Sequence, residues 1–340
     1  MRNPFFPFER GAGRRVAALL DISLTEPVPA GHDILVEVKA VSVNPIDTKV
    51  RQRAVPDAGQ RYKVLGWDAS GIVRAVGPEV TLFQPGDRVW YAGSVGRAGC
   101  NSQLHLVDER IVGKAPRSLD FAQAAALPLT AITAWELLFD RFGILRNRDQ
   151  LKKSLLIIGA AGGVGSIMTQ LAARLTPFTV IGTASRPETQ AWVQELGAHY
   201  VIDHGKSLVE EMKRIGLAHA DYVVSLTHTQ AHLDEIVEIV APLGRFGLID
   251  DPPALDATRF KRKVVSVHWE GMFARSLFGT DDMISQHQLL EDVADLVDAG
   301  DIRTTLNECL SSINAENLRR AHALIESGKS RGKLVLEGWS

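Results

Sequence analysis

The sequence predicts a two-domain α/β protein, with a β-rich domain built from both ends of the chain and a doubly wound parallel sheet inserted between them. Three observations carry that expectation. Short strands separated by turns fill the first third, apolar strands alternate with helices from Ser154 onward, and one last strand signal stands near the C terminus. At 340 residues the chain exceeds the usual size of one domain, so two are expected.

Residues 34–41 place Ile34, Val36 and Val38 on one face and Glu37 and Lys39 on the other, the period of a half-buried strand. Gly71-Ile72-Val73-Arg74-Ala75-Val76-Gly77 is a second strand, bounded by glycines, and Pro85-Gly86-Asp87 is a turn into a third, Arg88-Val89-Trp90-Tyr91. Such short strands suggest a small barrel or sandwich. The texture changes near Asp120: residues 121–126 read as helix, Pro128 interrupts, and 130–139 resume a helical pattern. Strands are then expected at 154–158, 179–183, 199–202, 221–225 and 245–249, with helices at 163–175, 187–196, 206–215 and 230–241 between them. That alternation implies a parallel sheet with right-handed crossovers. A strand at 263–267, a helix at 285–299 and a strand at 333–336 complete the chain. The expected division is 1–122 and 264–340 for the first domain and 123–263 for the second.

Composition narrows the function classes. Hydrophobic residues make up 45% and charged residues 23%, and the formal net charge of -2 gives no reason to expect nucleic acid or an anionic membrane as partner. Two cysteines, Cys100 and Cys309, exclude a disulfide framework and a cysteine-only metal cage, which suits a reducing cytoplasm. Arg14-Arg15 precede an apolar run of only five residues, Val16 to Leu20, short of the roughly 7–15 of an export signal. Ser154 to Ala173 holds no charged residue over 20 positions, but its four glycines fit a strand–turn–helix better than a membrane span.

The segment Ile157-Ile158-Gly159-Ala160-Ala161-Gly162-Gly163-Val164-Gly165 follows an apolar strand and opens a helix. Glycines there permit a tight turn and close approach of the backbone to a pyrophosphate, which the helix amino terminus attracts. The pattern is degenerate, because alanine stands at 160, two before Gly162. The following βαβα alternation nevertheless makes it a Rossmann fingerprint rather than a mere glycine-rich turn. A site for NAD would end its second strand in Asp or Glu; this strand ends in Ser185-Arg186. Arginine offers a planar fork matched to a 2′-phosphate, so NADPH is the expected cofactor, the plain alternative being a solvated loop charge.

Further motifs in order are Ala40-Val41-Ser42-Val43-Asn44-Pro45-Ile46-Asp47, Leu65-Gly66-Trp67-Asp68-Ala69-Ser70-Gly71, Val76-Gly77-Pro78-Glu79-Val80, Gly86-Asp87-Arg88-Val89 and Ala125-Ala126-Leu127-Pro128-Leu129-Thr130-Ala131. Together with the glycine loop they resemble the medium-chain dehydrogenase/reductase superfamily, and within it the zinc-free quinone oxidoreductase-like branch. The resemblance covers nearly all of the chain from about residue 33. It implies a GroES-like β-barrel catalytic domain, a Rossmann domain, a cleft between them and a homodimer. It places Asn44 and Thr130 at the nicotinamide end, Gly162, Gly163 and Val164, with Gly165, at the pyrophosphate, and His204 near the adenine. His268 and Trp269 fall in a loop that covers the nicotinamide, and Lys333 lies in a terminal strand that reaches the cofactor. Zinc-dependent members carry cysteine where this chain has Asn44 and histidine where it has Trp67, and a four-cysteine lobe that two cysteines cannot supply. Related quinone reductases also carry tyrosines after the Asn-Pro motif; Lys49 and Val55 stand there instead.

Without a metal to polarise a carbonyl, the acceptor must already be electrophilic. Quinones and enals or enones qualify, since hydride addition gives a delocalised anion that a few hydrogen-bond donors stabilise. Candidate donors are Asn44, Thr130, Tyr62 and His268, with bland alternatives of a turn residue, a helix cap, and packing or surface groups. Asp68, Asp87 and Glu136 read as turn and helix-end groups, Trp135 and Trp192 as core or interface, His228 and His232 as a solvated pair, and residues 259–263 as a solvated basic connection. Two functions follow: an NADPH-dependent reductase of quinones or activated enones, or a non-catalytic NADPH-binding sensor or structural protein on the same fold.

Overall fold

The computed structural model describes residues 19–339 except 54, 55, 57, 58, 60 and 148. In chain order the strands are β1 (Asp33–Val43), β2 (Ala69–Val76), β3 (Arg88–Tyr91), β4 (Leu104–Asp108), β5 (Val112–Lys114), β6 (Ser154–Ile158) and β7 (Thr179–Thr183). They continue with β8 (Tyr200–Ile202), β9 (Ala220–Ser225), β10 (Val240–Leu248), β11 (Ser266–Trp269), β12 (Leu306–Cys309) and β13 (Lys333–Glu337). The α-helices are α1 (Pro45–Arg53), α2 (Phe121–Ala125), α3 (Pro128–Trp135), α4 (Gly163–Leu175), α5 (Pro187–Glu195), α6 (Leu208–Arg214), α7 (Thr229–Ile239), α8 (Ala274–Phe278), α9 (Ser285–Asp298) and α10 (Ala315–Glu326).

Two compact units result. One takes the described part of Met1–Leu129 with Phe273–Asp298 and Leu306–Ser340; the other takes Thr130–Met272 and Ala299–Thr305. The first unit is therefore discontinuous. These divisions fall later than the 122/123 and 263/264 expected from texture, and 299–305 goes to the second unit, where the Gln170 side chain bonds both the N–H and the C=O of Arg303.

In the first unit β1 organises a seven-stranded sheet. One edge of β1 pairs antiparallel with β2; along the other, Asp33–Glu37 pair with β4 and Ala40–Val43 with β13. Eleven residues are long enough to serve two partners end to end. Ile34, Val36 and Val38 are wholly buried as the alternation requires, and Glu37 on the opposite face pairs with Lys39 and Arg74. Parallel pairing of β12 on β13 extends the sheet, so its final two strands come from the end of the chain. Gly71 faces Val38 across the ladder, and a Cβ there would lie 2.2 Å from the Glu37 carbonyl oxygen.

The second unit is a six-stranded parallel sheet in the order β11-β10-β9-β6-β7-β8. From β6 the chain winds outward to β8, then returns to β9 on the other side of β6 and winds outward to β11. The reversal between β6 and β9 is a topological switch point, where open α/β sheets bind ligands at the strands' carboxyl ends. Leu155 to Ile158 are all buried, which is why β6 reads as a continuous apolar run rather than an alternation.

Two local expectations are corrected. Residues 257–263 form a 3-10 helix instead of leading into a strand at 263, and the basic run is not simply solvated. The Lys263 ammonium donates to the carbonyls of Val237 (3.0 Å) and Val240 (2.8 Å), capping the end of α7, and β11 begins only at Ser266. The helix expected over 130–139 passes at Glu136 into a π-helical turn, Glu136–Arg141. Strands β4, β5 and β12 and helices α1, α8 and α10 carried too little pattern to be expected.

Gly71→Ala is expected to destabilise the protein by about 1–3 kcal/mol or more, because the clash is with backbone that cannot step aside. Urea unfolding followed by circular dichroism measures it.

Candidate active site

The glycine loop turns directly off β6. Gly159 has φ +87°, in the left-handed region, and its carbonyl accepts from the Gly162 N–H at 3.2 Å. Gly162 is the N-cap of α4, extended (φ -73°, ψ 179°), with no side chain to cap the first turn. The opening N–H groups of that helix thus have no side-chain acceptor at the cap. Space stands open over Gly162, since the nearest atom to an added Cβ is the Gly159 oxygen at 3.5 Å. Gly165 is the opposite case: a Cβ would lie 2.5 Å from Ala160 Cα and from the Gly159 oxygen. Alanine at 160 is accommodated from across the sheet. Ala160 is buried, and its methyl lies 2.9 Å from where a Cβ on Gly182 of β7 would be. The Val193 methyl, 2.4 Å from the same point, also requires glycine at 182.

At the end of β7 the Thr183 hydroxyl accepts from the Gly159 N–H (3.0 Å) and meets His204 Nδ1 (3.0 Å). The hydroxyl can donate to Nδ1 or accept from it, so the contact suits either tautomer of His204. Burial holds His204 below the usual histidine range, and the neighbouring His232 and His228 act in the same direction against Asp203. The supposed solvated pair is divided. His228 is exposed in a left-handed conformation ahead of α7, while His232 packs edge-on to His204 at 6.5 Å between centroids. Ser185 is exposed beside this loop, and Arg186 opens α5 with its Nε 2.8 Å from Glu188.

In the first unit Asn44, Asp47, Asp68 and Lys333 form a buried polar cluster. Asn44 caps α1, Pro45 takes the first helical position, and Asp47 accepts the Asn44 N–H at 2.6 Å, one half of a capping box. The Asn44 amide donates to Asp68 Oδ2 (3.1 Å) and the Trp67 carbonyl (3.3 Å), and its oxygen accepts from Lys333 Nζ. Lys333 also donates to Asp68 Oδ2 (3.0 Å) and the Val43 carbonyl (3.3 Å). Asp68 Oδ1 accepts from the Leu129 N–H at the start of α3 (3.0 Å). Asp68 therefore does end a helix, as its sequence position suggested, and holds an ion pair besides. The Cys100 thiol lies 3.4 Å from the Asp68 N–H, and burial raises it far above the usual thiol range.

Known proteins resemble the chain along almost its whole length. Residues 30–117 match the alcohol dehydrogenase GroES-like domain and residues 196–336 the zinc-binding dehydrogenase family. A zinc-type alcohol dehydrogenase-like protein of Staphylococcus aureus (strain MRSA252) is 43% identical over 316 residues, 92% of each chain. The chain belongs to the medium-chain dehydrogenase/reductase superfamily. A crystal structure from Rhizobium etli CFN 42, provisionally called a zinc-dependent alcohol dehydrogenase protein, is 60% identical with a TM-score of 0.90 over 94% of this chain and 93% of its own. Escherichia coli quinone oxidoreductase, solved with NADPH, is 26% identical with a TM-score of 0.79 over 93% and 94%.

Within the superfamily this medium-chain dehydrogenase/reductase falls in the zinc-free, quinone oxidoreductase-like branch. The names of several relatives invoke zinc, but Asn44 offers an amide already bonded on both sides and Trp67 offers an indole whose N–H donates to the Ser94 carbonyl at 3.1 Å. Among the described residues no three His, Cys, Asp or Glu side chains are grouped to hold a metal ion.

The remaining expected residues are dispersed. Thr130 is buried in the first turns of α3, in the second unit. Tyr62 is 39% exposed under the Arg61 guanidinium, along a groove of about 860 Å³ with Arg51, Leu318 and Trp339. His268, on β11, packs edge-on to Phe142 (5.4 Å) with its Nε2 buried and without a hydrogen-bond partner. Its pKa is lowered by burial and by Arg245 and Arg141. Val55, read at the second tyrosine position, lies outside the described residues. Sequence reasoning missed Asp47 and Thr183 as site members, and gave Asp68 no part in the site. An acid inside the otherwise uncharged Ala-Val-Ser-Val-Asn-Pro-Ile-Asp motif was the available signal for Asp47.

Gly165→Ala is expected to lower stability by about 1–3 kcal/mol, whereas Gly162→Ala leaves the urea midpoint unchanged. Lys333→Met is expected to cost about 3–5 kcal/mol, since it strands the Asp68 carboxylate without its cation; thermal unfolding at neutral pH measures the loss.

Proposed function

We propose that the protein is a zinc-independent, NADPH-dependent reductase of quinones or α,β-unsaturated carbonyls. The observation that carries this reading is the uncapped amino end of α4, open above Gly162 at the switch point of a parallel sheet. A dinucleotide fits that end: the free space over Gly162 suits a pyrophosphate, and the helix supplies the N–H donors it needs. Gly162, Gly163, Val164 and Gly165 would hold the pyrophosphate, Ser185 and Arg186 the 2′-phosphate, and His204 the adenine side. NADPH, when bound, supplies hydride from its nicotinamide ring. The protein's own task is to orient the acceptor, exclude water and stabilise the developing phenolate or enolate.

Asn44 contributes by position. Both amide protons are engaged within the buried cluster, so it fixes the wall of the site rather than donating to an oxyanion. Thr130 is then the proposed hydroxyl donor, and His268 and Lys333 are proposed to flank the nicotinamide. Tyr62, exposed beside Arg61, is proposed only as a rim residue. The working form is proposed to be a homodimer in a reducing cytoplasm, consistent with Cys100 and Cys309 both being free thiols.

Oxidation of NADPH, followed by its absorbance with a simple quinone, a 2-alkenal and a plain ketone in parallel, tests the assignment. Turnover with an activated acceptor but not the ketone is expected; NADPH binding with no turnover of any acceptor would instead favour a sensor. Arg186→Ala is expected to raise the KM for NADPH roughly 10-fold or more while leaving that for NADH nearly unchanged, since it removes charge-assisted hydrogen bonds to one phosphate. Equal effects on both cofactors would remove Arg186 from 2′-phosphate recognition.

A further inference from the structure

We infer that Asp47 is held as a neutral, protonated acid in the folded protein, and that this proton lets the Asp68–Lys333 ion pair fix the Asn44 amide in one orientation. The inference rests on the proposed function only in taking Asn44 as part of the reductase site.

A count of buried charge leads to it. Asp47, Asp68 and Lys333 are 1%, 0% and 2% exposed. Two carboxylates therefore share one ammonium away from water, and a second uncompensated anion there would carry a desolvation cost that no partner offsets. Donor geometry decides which carboxyl keeps the proton. Asp68 receives three donors, the Leu129 N–H, the Asn44 amide and the Lys333 ammonium, so its charge is met at both oxygens. Asp47 receives backbone N–H groups alone, chiefly that of Asn44 at Oδ2, and its Oδ1 is buried with no hydrogen-bond partner. An unmet neutral hydroxyl costs much less than an unmet anionic oxygen.

Groups on every neighbouring element leave this balance standing. The Cys100 thiol is held neutral by burial. Helix α10, packed on α1, presents His322, which burial lowers to about 4, and Glu326, which pairs with Arg51 at 2.7 Å. Burial likewise raises Asp47 from 3.8 to about 7, opposed by the Asn44 N–H and Lys333 and reinforced by Asp68. Asp68 is also pushed up by burial, but Lys333 and its other donors oppose the shift.

A carboxyl whose folded pKa is raised binds its proton more tightly folded than unfolded, so its stabilising contribution is full below about 4 and is lost as pH rises through about 7. Asp47→Asn keeps an acceptor for the Asn44 N–H and stays neutral at every pH. The melting temperature of Asp47→Asn minus that of the wild type is expected to increase as pH rises from about 5 to about 7 and then to level off. A difference independent of pH across that window overturns the inference. Should Asp47→Asn fail to fold, infrared spectroscopy of the wild type decides. A protonated-carboxyl C=O band present near pH 5 and bleached through about pH 7 supports it, and its absence at pH 5 overturns it. Both readouts are independent of turnover, so failure of the reductase reading would leave them interpretable.

Discussion

A buried ammonium, that of Lys333, sets the arrangement of the first unit. Its strand, β13, follows about 150 residues spent in the second unit, and it pairs with the carboxyl half of β1. Burial of Leu334 and Leu336 in the core already favours one register. The lysine adds a demand of its own: its three donors find Asn44, Asp68 and Val43 in a fully buried cluster. Those partners come from the end of β1, the approach to β2 and the cap of α1. Asp68 passes the constraint on to the first turn of α3 through the Leu129 N–H. One charge thereby fixes the helix start on which the candidate position Asn44 stands.

The second unit depends on a constraint of space rather than charge. Gly165 must lack a side chain because α4 crosses the loop at backbone contact, whereas Gly162 lacks one with room to spare. Only the second kind of glycine leaves volume for a ligand. The hydroxyl of Thr183 joins this loop to His204, so the turn that would receive a pyrophosphate and the ring proposed for the adenine side are linked by one hydrogen-bonded chain.

Much of this was legible in the sequence, and the exceptions have physical causes. The parallel sheet was readable because its strands are buried on both faces and its helices are long enough to show a period. The strand expected at 263–267 failed because Lys263 has a local task, closing α7, which a hydropathy pattern does not contain. Strand β5 has three residues and β12 is largely exposed, so neither carries a pattern. Ala160 looked like a flaw in the glycine fingerprint, yet its methyl packs toward Gly182, more than twenty positions away, a relation visible only when β6 and β7 lie side by side. Asp68 and Lys333 are 265 residues apart, and their pairing could not be read from either neighbourhood.

The central claim is that this chain directs hydride from a bound nicotinamide onto an activated acceptor. Its most direct test is incubation with NADPH deuterated at the transferable position and an α,β-unsaturated ketone, with mass spectrometry of the product. One deuterium at the β carbon, and a solvent-derived proton at the α carbon, is the predicted result. Saturated product without deuterium, or NADPH bound and recovered unoxidised, would contradict the account.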